Sequence, residues 1–318
     1  MDTADKQDET QPGETQPQTP LDEMPPPLSL RENKPHPILR GLLIFLAVGM
    51  LGFGVLLQNR MFKRRAEESN KKTPPPTALT PPPSDAFGWA KQYDPAESIV
   101  ARIPPPAGLQ RIASEPGSFA HWLRFLPLKP GQGQVLLHTT KPKHNQNAHF
   151  AVIDIDTGKK NLQQAAGAIV RLRAEYLVAA GRGDEPPLNF TAEAPSRAEF
   201  RKCLDAALAR TSTRSLAAEL VPVNSARDMR IGDVFIHPGT PGHAAIVVDL
   251  AEYPKTGQKG FILAQSFIPA QDMHILVNPA NPQAGPWYPA PPNDNPNATL
   301  RTPEWTFSFG ELMRFEEK

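Results

Sequence analysis

The order of apolar and polar positions divides the chain into segments of different character. Residues 1–40 are polar, acidic and Pro-rich with almost no apolar periodicity, which predicts a disordered tail. Residues 41–58, GLLIFLAVGMLGFGVLLQ, lack charge and at ~1.5 Å per residue nearly span a ~30 Å hydrocarbon layer, which predicts one transmembrane helix. Residues 59–97 are basic and then Pro-rich, as in a linker, and residues 98–318 have the composition of a folded domain.

Within 98–318 the periodicity predicts helices first and antiparallel strands afterwards, which is an α+β domain. The helix predicted at 161–180 has apolar residues at alternating spacings of three and four, which indicates one buried stripe. Further helices are predicted at 197–210, 215–220 and 309–315. Strands are predicted at 134–138, 150–156, 233–237, 243–249, 260–266 and 274–277.

Charge and cysteine usage narrow the function classes only a little. Lys and Arg number 34 and Asp and Glu number 33, so no basic field predicts binding to nucleic acid. The one cysteine, Cys203, excludes an intramolecular disulfide and leaves the redox compartment open. Cys203 lies among apolar residues in a predicted helix, which is typical of a small buried hydrophobe, and the alternative is a nucleophile.

A series of motifs in 98–318 resembles an uncharacterised bacterial family, domain of unknown function 4846. The matching stretches are SFAHWLRFLPLKP, HFAVIDID, LQQAAGAIVRLRAEYL, TRSLAAELVPV, GDVFIHPGTPGHAAIVVDL, ILAQSFIPAQDMHIL and TPEW. Relatives have a cysteine at the position of Ala165 and an aspartate at that of Gly167, and the region between Asn189 and Glu199 is longer in them. The resemblance itself implies no established activity.

The order of these motifs is similar, more distantly, to that of papain-like amidases and peptidases, including the NlpC-type cell-wall hydrolases. In that group a cysteine opens a helix packed on an antiparallel sheet, a histidine begins a later strand, and a polar residue on the next strand orients it. The resemblance places these roles at Ala165, His243 and Gln265, and it implies a papain-like sheet packed on helices. Because alanine has no sulfur, covalent catalysis at this position is impossible. Gln164, or Gln163, is the candidate donor to an oxyanion.

Each candidate site residue also has a purely structural interpretation. His243 could satisfy carbonyl groups of the PGTPG turn, Gln265 and Ser266 could cap a strand end, and Gln163 and Gln164 could be an ordinary first helical turn. The aromatic stretch PWYPAPP, at 286–292, could line a groove with Trp305 or cover the core.

Other site chemistries have weaker signals. No G-x-S-x-G motif indicates a serine hydrolase. Several histidine and aspartate residues have side chains that can bind a metal ion. Their spacing matches no recognised ligand pattern, so no metal or cofactor is expected. These residues are His138, His144, His149, His237, His243 and Asp249.

Membrane orientation depends on conflicting signals. More basic residues follow the predicted span than precede it, and the positive-inside rule then places the domain in the cytoplasm. The stiff spacer TPPPTALTPPP, at 73–83, and the mostly exported relatives favour an extracytoplasmic domain. We expect a single-pass protein of the bacterial inner membrane with an extracytoplasmic domain.

Three hypotheses for function follow from these observations. The first is a catalytically inactive papain-like domain that binds a cell-wall peptide or glycan, or acts as a scaffold. The second is an active hydrolase that uses His243 with another nucleophile or a bound water. The third is a structural tether at the envelope.

Overall fold

An antiparallel sheet built around one long hairpin organises the protein. The computed structural model describes residues 79–186 and 196–316, all within one compact unit, Pro75–Lys318. The predicted tail and transmembrane segment lie outside the described residues. Within the described ranges, no helix is long and apolar enough to cross a membrane.

The helices precede most of the strands, so the predicted α+β class is confirmed. The helices are α1 Ile99–Arg102, α2 Phe119–Arg124, α3 Ala165–Ala179, α4 Arg197–Leu208 and α5 Thr213–Ala218. The strands are β1 Gln110–Arg111, β2 His149–Val152, β3 Leu220–Pro222, β4 Val234–His237, β5 His243–Glu252, β6 Lys259–Gln265, β7 His274–Leu276, β8 Trp287–Pro289, β9 Thr299–Arg301, β10 Thr306–Ser308 and β11 Leu312–Phe315.

The sheet has the strand order β2-β7-β6-β5-β4-β11-β3, with β1 paired to β5 and β8 paired to β6. Neighbouring strands are antiparallel throughout, and β9 and β10 form a separate pair. Nine of the ten residues of β5 are buried, so this strand is covered on both faces. That explains its unbroken apolar run at 244–248, since an antiparallel strand with one solvent-exposed face would alternate.

Helix α3 is the centre of the helical layer. It packs against β5 and β6 on one side and against α2, α4 and α5 on the others. Twelve of its 15 residues are buried, so the predicted single buried stripe is wrong. Its many small residues permit close approach of neighbours on every side. The helix ends in a Schellman motif, in which Gly181 (φ 69°) donates to the Val178 carbonyl and Arg182 to that of Leu177.

Two other predicted elements differ from the structure. Residues 134–138 form no strand and make only isolated bridges, Leu136 to Pro142 and Leu137 to Gln271. The predicted C-terminal helix is a 3-10 turn, Phe309–Glu311, followed by β11. A short apolar run fits either conformation, and pairing with β3 and β4 selects the strand.

The folded part also begins before Ser98. Phe87 is completely buried and stacks on Trp122 at 5.3 Å between ring centroids. The Trp122 indole donates to the Ala86 carbonyl at 2.8 Å. The end of the segment that we predicted as linker, 59–97, therefore contributes to the core.

Candidate functional site

His243 and Gln265 meet at one edge of the central hairpin. His243 is the first residue of β5 and Gln265 the last of β6, and antiparallel neighbours bring these two ends together. The His243 Nε2 atom lies 2.7 Å from Gln265 Oε1. The amide oxygen can only accept, so Nε2 holds the proton and the Nδ1 lone pair is left to face another group. The turn-carbonyl interpretation of His243 is therefore replaced by a side-chain pair.

The Gln265 amide is fixed from its other side. Its Nε2 atom donates to Glu304 Oε2 at 3.0 Å and lies 3.4 Å from His274 Nε2. His274 uses Nδ1 on the Asp272 carbonyl at 2.9 Å, which leaves its Nε2 as an acceptor. Both amide hydrogens thus have acceptors, and this orients the Gln265 oxygen towards His243.

A buried ion pair holds the carboxylate behind Gln265. Lys143 Nζ lies 2.5 Å from Glu304 Oε2, and both side chains are largely shielded from solvent. Asn145 Nδ2 approaches the other carboxylate oxygen at 3.5 Å. Burial lowers the pKa of Lys143, and the bond to Glu304 opposes that effect. The result is a continuous hydrogen-bonded chain, Lys143–Glu304–Gln265–His243.

Aromatic side chains enclose the His243 ring. Phe267, Trp305 and Phe307 lie with centroids 4.6, 5.3 and 5.7 Å from it. Burial lowers the pKa of His243 to about 4, against the smaller opposing effect of the Gln265 hydrogen bond. The ring is therefore neutral at pH 7, and it is suited to accept a hydrogen bond at Nδ1 rather than to bear a charge.

The start of α3 reaches the same edge of the sheet. Ala165 is the first residue of α3 and is buried. Ser266, next to Gln265, donates from Oγ to the Gln163 carbonyl at 2.7 Å. This bond joins the end of β6 to the residues that precede α3. The elements with the predicted site residues Ala165, His243 and Gln265 are thus brought together, but Ala165 supplies no nucleophile.

The side chains of the two glutamines before α3 form hydrogen bonds to residues outside the His243–Gln265 pair. Gln164 donates from Nε2 towards both oxygens of Asn161, at 3.2 and 3.3 Å. Gln163 is completely buried, and its Oε1 accepts from Arg171 Nη1 at 2.9 Å. Gln163 Nε2 is buried without a hydrogen-bond partner in the described part of the chain. An oxyanion role for Gln164 stays a prediction, and it would require this side chain to leave Asn161.

Cys203 and Asp249 belong to other parts of the fold. Cys203 lies in α4, which packs on α3, and it is partly buried against the core. Asp249 is paired with Arg111 and Arg124, each at 2.7 Å. Among the described residues, no group of three or more His, Cys, Asp or Glu side chains could hold a metal ion.

The aromatic stretch 286–292 belongs mainly to the core. Trp287 and Tyr288 are buried in β8 against β6, as the core-covering interpretation predicts. Trp305 differs, since its ring contacts both His237 and His243. Its Nε1 atom is buried and makes no hydrogen bond within 79–186 or 196–316.

Lys143, Glu304 and His274 were not recognised from the sequence as site residues. Glu304 lies in the TPEW stretch, which served only as a landmark of the resemblance. It is 39 residues from Gln265 and 161 from Lys143 along the chain, so no local spacing could connect them.

Comparison with known proteins gives a family and no function. A family model described as a domain of unknown function (4846) matches residues 99–194 and 189–314. The chain therefore belongs to that family. Searches of curated proteins and of solved structures found no match.

Proposed function

We propose that this is a papain-like domain that has lost covalent catalysis and that binds an amide-containing ligand at His243. The hydrogen bond between His243 Nε2 and Gln265 Oε1, at 2.7 Å, is the observation on which the proposal rests. It is the pairing that a cysteine hydrolase uses to fix the tautomer of its base. Here the helix beside it begins with alanine, so the base has no thiol to deprotonate.

An amide group complements the hydrogen-bonding atoms that remain at this site without a nucleophile. The neutral His243 ring offers an acceptor at Nδ1, and Trp305 offers a buried donor without a partner among the described residues. A peptide or carboxamide group supplies the complementary donor and acceptor. Because Phe267 and Trp305 cover the ring, binding requires these side chains to move.

An active hydrolase is the less favoured alternative. Activation of a water molecule by His243 would need a base with a pKa near the working pH, whereas burial holds the pKa of this ring at about 4. Cys203 lies on α4, which packs against α3. It is therefore not at the start of α3, where the resemblance places the nucleophile. A purely structural tether would give no reason for a buried indole N–H of Trp305 that has no partner among the described residues and whose ring packs against His243.

We further propose that the domain acts at the bacterial envelope. The apolar segment 41–58 would anchor it in the inner membrane, and the Pro-rich segment 73–83 would hold it outside the cytoplasm. Cell-wall peptides are then accessible amide ligands. Protease added to intact spheroplasts should degrade the domain, and full protection would place it in the cytoplasm instead.

Binding and hydrolysis can be tested together with the full chain and disaccharide-peptide fragments of peptidoglycan. We expect calorimetry to detect binding and mass spectrometry to detect no cleavage. His243→Gln should weaken binding about tenfold or more, which is the loss of one well-placed hydrogen bond. His144→Gln, at an exposed histidine, is the matched control. Cleavage by the wild type, or equal binding by His243→Gln, would overturn the proposal.

A further inference from the structure

A cavity lies at the opposite end of the central hairpin from His243. Its volume is about 670 Å³, and Leu250, near the end of β5, and Lys259, at the start of β6, line it. Ala165, His243 and Gln265 are not among its lining residues. The cavity is therefore separate from the candidate site described above, and its function does not depend on that site.

Cationic side chains outnumber acidic ones in this cavity. Its lining has four basic residues, Arg227, Arg230, Lys259 and Arg314, and two acidic ones, Glu115 and Asp228. Lys259 Nζ donates to the carbonyls of Arg227 and Met229, the second at 2.9 Å. The side chain of Arg314 makes two bonds to Asp233, at 2.7 and 2.8 Å. Lys259 and Arg314 are therefore fixed cations of the inner wall.

Arg227 and Arg230 have a different position. Both are exposed, and within the described part of the chain neither guanidinium has a hydrogen bond or ion pair of its own. The loop that presents them is nonetheless well held, because Asp294 accepts from Ser225 Oγ at 2.5 Å and from the Ala226 amide at 2.7 Å. Two free guanidinium groups on an anchored loop at the rim of a cavity are available to an anion.

Most of the uncharged lining residues are apolar. Ile112, Val223, Ile231 and Leu250 line the cavity together with the cations. A small inorganic anion would leave these side chains uncovered, whereas a ligand with an apolar body would cover them. The acidic residues Glu115 and Asp228 in the lining, and Asp233 bound to Arg314, offset most of the positive charge around the cavity, which favours one anionic group over several.

We infer that this cavity binds an amphipathic anion, with a phosphate or carboxylate group at Arg227 and Arg230 and an apolar body against Ile231 and Leu250. The anionic group would pair with the guanidinium groups in a bidentate manner, and the apolar body would exclude water from the inner wall.

Short amphiphiles test this inference in the full chain. Hexyl phosphate and hexanoate, titrated below their aggregation concentrations, distinguish phosphate from carboxylate as the preferred group. Hexanol and inorganic phosphate separate the apolar and anionic contributions. We expect calorimetry to show binding of at least one amphiphilic anion, about tenfold or more tighter than binding of hexanol or inorganic phosphate.

Two variants locate the binding. Arg227→Gln combined with Arg230→Gln removes the free charges without breaking a described hydrogen bond, and it should weaken binding about tenfold or more. Ala113→Trp, at an exposed lining residue, should block the cavity and have a similar effect. Arg301→Gln, at an exposed arginine outside the lining, should leave binding unchanged.

Three results would overturn the inference. They are no binding of either amphiphilic anion, equal binding of hexanol, and an equal loss in Arg301→Gln, which would indicate non-specific attraction. Because the assay does not involve His243, failure here leaves the proposed peptide site untouched, and failure of that site leaves this cavity untouched.

Discussion

At the scale of single residues, the candidate site depends on polar groups that hold one another in the protein interior. The Gln265 amide is fixed between His243 and Glu304, and Lys143 compensates the charge of Glu304. A buried ion pair contributes little net stability, but loss of one partner leaves an uncompensated buried charge. The Lys143–Glu304 pair is therefore expected to matter most for the orientation of Gln265.

Glu304→Gln tests this role. The change leaves Lys143 buried without its counterion and replaces the carboxylate that orients Gln265 with a neutral amide that has only one acceptor oxygen, so we expect a loss of about 3 kcal/mol in unfolding free energy. The ¹⁵N shifts of the His243 ring should also lose the pattern of a proton fixed on Nε2. Urea unfolding and NMR provide the two measurements.

Glu311→Gln is the matched control for that experiment. Glu311 pairs with His237, which is about half exposed, at 2.5 Å. We expect a loss below about 1 kcal/mol and an unchanged His243 ring, because exposed pairs contribute little. Equal effects of the two substitutions would contradict the assigned role of Glu304.

Buried histidines predict a pH dependence of stability. Burial lowers the pKa of His149, His243 and His274, and for His243 to about 4. The unfolded chain, with ordinary values near 6.5, then binds more protons than the native state as the pH falls. The stabilising contribution is fully present above about pH 6.5 and is lost as the pH falls towards 4.

Urea unfolding between pH 7 and pH 5 measures this effect. Each buried histidine contributes a slope of up to about 1.4 kcal/mol per pH unit. His243→Gln should reduce the slope and the exposed-residue variant His144→Gln should not. A free energy that is constant over this range would show that these rings are protonated in the folded state or are accessible to solvent.

At the scale of elements, the start of α3 is shaped by a close backbone contact. A Cβ atom at Gly167 would lie 2.6 Å from the Leu162 carbonyl oxygen. The aspartate expected there in relatives would not fit this backbone. The conformation of the residues before α3 therefore requires a residue without a side chain at position 167.

Gly167→Ala is expected to destabilise the fold by about 1–3 kcal/mol, because backbone must move to admit the methyl group. Gly181→Ala is the comparison, since it has open space but a φ of 69°. It should cost about 1 kcal/mol from strain alone. Thermal unfolding of both variants measures these losses of stability. An unchanged stability of Gly167→Ala would show that the segment before α3 moves freely.

Sequence patterns predicted some of these elements well and others poorly. Strands β4 to β6 were predicted within a few residues because they are long apolar runs between Gly- and Pro-rich turns. Strands β3, β8, β9 and β10 have only three residues each, and β3 and β8 also depend on partners distant in sequence. Helix α3 was located, but its burial on all sides depends on five neighbouring elements that no local pattern describes.

Some residues of the candidate site were predicted from the sequence and others were not. The resemblance to papain-like enzymes singled out His243 and Gln265, and in the structure their side chains lie 2.7 Å apart. Lys143 and Glu304 have no signal of their own, since a charged residue in a loop is usually solvated. Only the folded chain shows that both are shielded from solvent.

At the scale of the whole molecule, the folded unit includes residues before the region of family similarity. Phe87 is buried against Trp122, and the Trp89 indole donates to the Asp154 carbonyl at 2.6 Å. The matched family region begins only at residue 99. The preceding segment therefore adds a stabilising cover to the domain.

Truncation tests that conclusion. A chain that begins at residue 98 loses Phe87, Trp89 and Tyr93 and exposes the apolar surface that they cover, so it should unfold at a lower temperature than a chain that begins at residue 75. Calorimetry of the two chains makes the comparison. Equal unfolding temperatures would show that the segment packs without stabilising the fold.

We propose that Ala165 occupies the position of a lost nucleophile beside His243, and the reactivity of a thiol introduced at residue 165 would show whether it does. We would introduce Ala165→Cys together with Cys203→Ser and measure the rate of alkylation by iodoacetamide as a function of pH. We expect a thiol pKa clearly below the ordinary value of about 8.5, because the negative charge of an adjacent thiolate would raise the pKa of the His243 ring, which burial alone lowers, and the ring could then accept the thiol proton. Adding His243→Ala should abolish that shift. A thiol pKa near 8.5 or higher, with or without His243, would show that residue 165 and His243 do not form such a pair.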